Sequence, residues 1–98
     1  MHPYTMLKEL LGELGAELTS EDLHADVFGS YVATYANSGR AIRLVWDGKD
    51  GWGFVQLHRS GDDWADATDF LTEGDLESVP QNHVKIERFR QVVAALLQ

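Results

Sequence analysis

The period of the apolar positions changes twice along this chain, dividing it into helix, sheet and helix. From Pro3 to Leu14, the residues Met6, Leu7, Leu10, Leu11 and Leu14 recur at helical spacing and leave Lys8, Glu9 and Glu13 for water. Pro3 suits the first turn, where a missing N–H is no loss, and Gly15 suits a left-handed stop. The segment that follows, AELTSEDLHADVFGS, is acidic and weakly patterned. It allows a short strand near Leu18 and an irregular loop through Asp26 and Gly29.

From Tyr31 to Ala36 the period shortens to two and the composition turns to Tyr, Val and Thr, which fit a pleated, half-buried surface. Asn37-Ser38-Gly39 follows as a turn. Arg40 to Arg59, RAIRLVWDGKDGWGFVQLHR, then has the alternation of a β-hairpin. Its Gly48-Lys49-Asp50-Gly51 matches a type I turn whose last glycine is left-handed and forms a bulge. Ser60-Gly61-Asp62-Asp63 is a further turn, Trp64 to Thr68 a weak edge strand, and Phe70 to Glu77 a loop or short helical turn. Ser78-Val79-Pro80-Gln81 has capping-box spacing, with Asn82 as an alternative cap. The helix it opens carries Ile86, Phe89, Val93, Leu96 and Leu97 on one stripe. The expected fold class is α+β: one domain over residues 1–98, an antiparallel meander of three to five strands, and an N-terminal and a C-terminal helix packed on one face.

Residues directly opposite each other in antiparallel strands share a face, so the length of each turn decides which side chains go together. With three-residue loops at both turns, one face collects Val32, Thr34, Ile42, Leu44, Trp46, Trp52 and Phe54 as the core side. The other collects Tyr31, Ala33, Tyr35, Ala41, Arg43, Val45, Val55 and Leu57. Two helices, each about 10 Å across, cover only one face of such a sheet. Tyr and Arg with small aliphatics make up the composition of an association surface, so the second face is the expected binding side unless the first helix and residues 16–30 wrap it.

Charge sharpens that expectation. Asp and Glu outnumber Lys and Arg by 16 to 8, a net charge of −8 that repels nucleic acid and anionic membranes and favours a basic protein partner. Absence of cysteine excludes disulfides, thiolate metal sites and cysteine nucleophiles, and fits a reducing cytoplasm. The N-terminus has Lys8, Glu9 and Glu13 where a signal peptide needs an apolar run, and no stretch reaches the ~18 apolar residues of a membrane span.

Candidate chemistry thins out on inspection. His2, His24, His58 and His83 lie far apart, and none has the spacing that puts two metal ligands on one helical face; surface or capping roles are expected. Asp47-Gly48-Lys49-Asp50-Gly51 has Lys49 where a calcium loop needs an oxygen ligand. Gly29-Ser30 lacks the glycines of a nucleophile elbow, and His24-Ala25-Asp26 is a weak candidate for an acid–base pair. No cofactor, metal or catalytic residue is expected. What remains is a set of acidic clusters, Glu17, Glu21, Asp22, Asp26 and then Asp62, Asp63, Asp66, Asp69, followed by Glu73, Asp75 and Glu77, which can steer a cationic partner. The expected partner-binding residues are Tyr31, Tyr35, Arg43, Val45, Val55, Asp62, Asp63 and Asp66.

A small acidic domain with a Trp46-Asp47-Gly48 to Gly51-Trp52 hairpin between helices resembles bacterial immunity proteins that neutralise polymorphic toxins. It also resembles acidic secretion chaperones, which often dimerise. The first resemblance implies a non-enzymatic domain that binds a basic toxin in the cytoplasm, and the second implies self-association around a client; a small enzyme is the third reading. If Trp46 and Phe89 are core residues, as their stripes predict, replacing either by Ala is expected to cost about 3–5 kcal/mol in denaturant unfolding.

Overall fold

The computed structural model describes residues 2–24, 29–37, 39–77 and 83–98. The elements run α1 (Pro3–Glu13), β1 (Glu17–His24), β2 (Ser30–Asn37), β3 (Arg40–Asp47), β4 (Trp52–Ser60), β5 (Asp63–Asp66), β6 (Leu71–Thr72), α2 (Glu73–Glu77) and α3 (His83–Leu96). The fold is α+β, an open antiparallel sheet with an N-terminal and a C-terminal helix. The capping residues expected at 78–82 lie outside the described residues, as does the loop through Asp26.

Strand order is β1-β2-β3-β4-β5, a meander, with β6 added to the same side of β4 as β5. The acidic segment after Gly15 is thus a full edge strand, longer than the short one expected near Leu18. The chain from 63 to 72 runs back along the whole of β4, pairing first with Gln56–Ser60 and then with Trp52–Gly53. Between those stretches Ala67 N–H donates to Val55 O at 2.9 Å, and Val55 N–H donates to the Thr68 hydroxyl at 2.9 Å. A side chain therefore completes the ladder where no strand exists, so Val55 buries no orphan backbone group.

Both hairpin turns have an even number of residues, which overturns the three-residue loops expected from the sequence. Asn37 pairs with Arg40, leaving residues 38 and 39 as the first loop; Asp47 pairs with Trp52, leaving 48–51 as the second. The second loop is long by one residue because the Asp47 carboxylate accepts N–H bonds from Lys49 at 3.0 Å and Asp50 at 3.1 Å, as an N-cap does. Gly51 N–H then returns to Asp47 O at 2.8 Å, and Gly51 closes the turn at φ +74°. The expected left-handed glycine is present; the register is not the expected one.

Consequently β2 and β4 both turn over relative to β3. The core face carries Ala33 and Tyr35 of β2, Ile42, Leu44 and Trp46 of β3, and Val55 of β4, with Tyr31 and Leu57 partly buried beside them. Val32, Thr34, Trp52 and Phe54, expected in the core, face the other way, while Tyr31, Ala33, Tyr35, Val55 and Leu57 move in. The helices supply Tyr4, Leu7, Leu10 and Leu11 from α1, Leu76 from α2, and Phe89 and Val93 from α3 to the same cluster. A shortest Cα extent of 19 Å leaves room for two layers, one sheet and one tier of helices.

Close seating of α1 depends on Gly53. A Cβ at that position would lie 2.6 Å from Leu7 Cδ1 and 3.0 Å from the ring of Trp46, its cross-strand partner. Leu7 occupies the space that a side chain would fill, and the indole covers the bare backbone from the side. At the helix start Pro3 takes the first position, as expected, and the His2 imidazole caps the turn by accepting Tyr4 N–H at 3.0 Å. Gly53→Ala should overpack this contact and lower unfolding stability by about 1–3 kcal/mol in denaturant titrations. Gly12→Ala, where an added Cβ meets nothing, should not.

Candidate functional site

The sheet face away from the helices is lined by Val32 and Thr34 of β2, Arg43 and Val45 of β3, Trp52, Phe54 and Gln56 of β4, and Trp64 of β5. None of its apolar members belongs to, or packs against, the core cluster. They form a second cluster of their own. Phe70 folds over the face from the break between β5 and β6, stacking on Phe54 with ring centroids 4.3 Å apart and meeting Trp52 at 5.2 Å. Val32, Val45 and Phe54 stand side by side in register, an apolar row extended by Phe70.

A polar row crosses the same face one pair along. Thr34, Arg43, Gln56 and Asp66 are mutually opposite on successive strands. Arg43 Nε donates to Gln56 Oε1 at 2.6 Å, and Gln56 Nε2 donates to Asp66 Oδ1 at 2.8 Å. The Arg43 guanidinium lies 4.3 Å from the centre of the Trp64 ring, whose other neighbour is the His58 imidazole at 4.9 Å. Partial burial pulls the Arg43 pKa below its ordinary value, yet a guanidinium keeps its charge at any working pH. The face is thus an apolar and aromatic field with one fixed cation, whose donors are directed along the polar row.

The expected binding residues divide between the two sides of the sheet. Arg43 and Val45 are on the open face, as expected, and Asp66 borders it. Asp62 is exposed in the β4–β5 turn, and Asp63 at the start of β5 pairs with Arg59 at 3.4 Å. Tyr35 and Val55 are a correction: both lie in the core, since the even loops reverse their strands. Tyr31 is half-buried on the helix side, against the rings of Tyr4 at 4.8 Å and His2 at 5.4 Å. The residues that replace them on the open face, Trp52, Phe54, Trp64 and Phe70, were available as a signal in the density of aromatics between 52 and 70.

A second constellation joins β1 to α1. Glu21, opposite Ala33 and so on the helix side, accepts hydrogen bonds from Lys8 Nζ and Tyr4 Oη. The Lys8 bond first, and then the Tyr4 bond, hold the Glu21 carboxyl below its ordinary value. Burial, reinforced by the bond to Glu21, drives the Tyr4 phenol far above the usual range, and burial with the Glu21 charge pushes Tyr35 up to about 12. All of these groups are paired or sealed. Near α2, desolvation alone would raise the Asp75 carboxyl, but bonds from Lys85 at 2.8 Å and from Thr72 outweigh it and hold it low. Among the described residues no three His, Asp or Glu side chains converge as a metal site requires.

Comparison with protein-family models, with curated proteins and with solved structures found no match to this chain. The residues themselves therefore carry the functional argument. Among the described residues no helix is long and apolar enough to cross a membrane.

The two low carboxyls predict the acid limb of stability. Because the folded pKa of Glu21 lies below the unfolded value of 4.5, its contribution is complete above that value and is lost as pH falls through the folded one. Asp75 behaves alike relative to 3.8. Unfolding midpoints followed from about pH 6 down to about pH 2 should fall steadily, and Glu21→Gln should flatten that fall while lowering stability at neutral pH.

Proposed function

We propose that this chain is a non-enzymatic protein-binding domain that captures a basic partner on the open face of its sheet. The observation that carries the reading is the second apolar cluster, Val32, Val45, Trp52, Phe54, Trp64 and Phe70, which no helix covers among the described residues. Aromatic anchors around a single arginine, with lysine absent, have the composition of an interface centre. Carboxylates border it on both sides: Glu17 and Asp22 of β1, opposite Ala36 and Val32, and Asp66 of β5 with Asp62 in the adjoining turn. Lys8, Arg59, Lys85, Arg88 and Arg90 are paired with carboxylates of the chain, and with 16 acidic against 8 basic residues the net field offered to a partner is negative.

The most concrete form of this reading is an immunity protein that neutralises a basic toxin, in keeping with the hairpin's resemblance to that class. An acidic rim speeds capture of a cationic protein and pairs with its arginines, while the aromatic centre supplies the lasting contact. A homodimeric chaperone would bury the same face against a second copy. That arrangement brings two chains of net charge −8 and their acidic rims together, which disfavours it.

Immobilised chain should retain a basic protein from native cell extract, and Val45→Lys should abolish retention while the chain still melts in one cooperative transition. Association with that protein should slow several-fold as salt rises from low to physiological strength. Retention indifferent to both Val45→Lys and salt would overturn the reading. Light scattering should give a monomer at micromolar concentration; a dimer that Val45→Lys dissociates would transfer the face to the chaperone role.

A further inference from the structure

The two edges of the sheet are finished differently. Along β4 every stretch is covered, by β5, by β6 and even by the Thr68 hydroxyl. Along β1 the outer side has no strand partner among the described residues. β1 is regular from Ser20 to His24, beyond a bulge at Thr19, whose hydroxyl bonds back to Thr34 O at 3.0 Å. A regular edge strand presents a row of unpaired N–H and C=O groups, a template for another strand.

Its two rows of side chains are chemically distinct. On the helix side, in the row that is core elsewhere in the sheet, Leu18 is 45% and Leu23 60% exposed. Beside Leu23 a groove of about 320 Å³ opens, lined by His2, Tyr4, Thr5, Lys8, Glu21 and Tyr31. On the opposite side stand Glu17 and Asp22, exposed and without an ion pair among the described residues. A strand laid along β1 would place alternate side chains over Leu23 and the groove, and the rest opposite Asp22.

We infer that β1 accepts an extended segment of a partner as an added strand, one that alternates apolar residues with Lys or Arg. Backbone hydrogen bonds supply attachment, and the two rows supply selection. A second copy is the wrong occupant: antiparallel β1 pairing would bring two edges carrying the unpaired Glu17 and Asp22 together, in chains of net charge −8 that repel one another. The inference shares with the proposed function the preference for a basic partner and the bordering carboxylates Glu17 and Asp22, but the attachment is to the backbone edge of β1 and holds whether or not the open face binds.

The probe is a blocked synthetic peptide, Lys-Val-Lys-Val-Lys-Val-Lys, compared with its block isomer of the same composition and with a Glu-Val counterpart. Hydrogen exchange by NMR should show the alternate amides of residues 20–24 that point away from β2 slowed about tenfold by the alternating peptide alone, with the amides of Trp52 and Phe54 unaffected. Asp22→Lys and Leu23→Ser, both at exposed positions, should each abolish the protection while leaving the melting curve in place. Four results would overturn the inference: no protection, equal protection by the block isomer, perturbation confined to the open face, or protection that grows with protein concentration in the absence of peptide. Failure here with retention of a basic protein by the open face would remove the edge site alone.

Discussion

The Asp47 carboxylate fixes the arrangement on which the rest of this fold depends. By accepting two N–H bonds it winds residues 48–50 into a capped turn, makes the β3–β4 loop four residues long and sets Trp46 opposite Gly53. Side chains alternate with period two, so a change of one residue in that loop would turn all of β4 over. Val55 would leave the core, and Phe54 would enter beneath α1. A hydrogen-bonding choice at one half-buried acid thus decides which side chains of β4 are buried and which are offered to a partner.

Seating of the helix layer follows from that register. With Gly53 opposite Trp46, the sheet has a hollow at its centre that Leu7 fills, which lets α1 lie close against β3 and β4. His2 secures the same corner from the chain terminus, capping α1 while its ring stands edge-on to Trp46 and Tyr31. Phe70 lies flat on Phe54, and Arg43 lies over Trp64, so the open face is levelled by its own side chains. A level, partly dehydrated aromatic surface loses little conformational freedom on binding.

Electrostatics separates the inside of the molecule from its rim. Lys8, Lys85 and Arg90 fasten β1, α2 and α3 to their neighbours by ion pairs with Glu21, Asp75 and Glu13. Arg40 reaches the last turn of α3 through Leu96 O at 3.4 Å. These cations join elements, while Glu17 and Asp22 on β1 and Asp66 on β5 stand along the two edges of the sheet. The open face and the β1 edge share this border, since Asp22 closes one and lines the other.

By itself the sequence determined the elements and the fold class. Helical spacing of Leu7, Leu10 and Leu11 and of Phe89 and Val93, and strand alternation in 31–36 and 40–59, are local signals that the structure reproduces. Arg43 and Val45 were also legible as open-face residues, because β3 kept the parity that its own pattern implied. The acidic strand β1 was hardly legible, since its leucines are exposed and only pairing with β2 makes it a strand. Tertiary structure alone decided the partners across each turn and with them the fate of Tyr35, Val55, Trp52 and Phe54. All four carry apolar or aromatic groups that suit either face, so their identities cannot choose between them. The choice comes from loop length, at the turn between Asn37 and Arg40 for Tyr35 and at the turn wound by Asp47 for Val55, Trp52 and Phe54, and from the space at Gly53 that only a packed helix reveals.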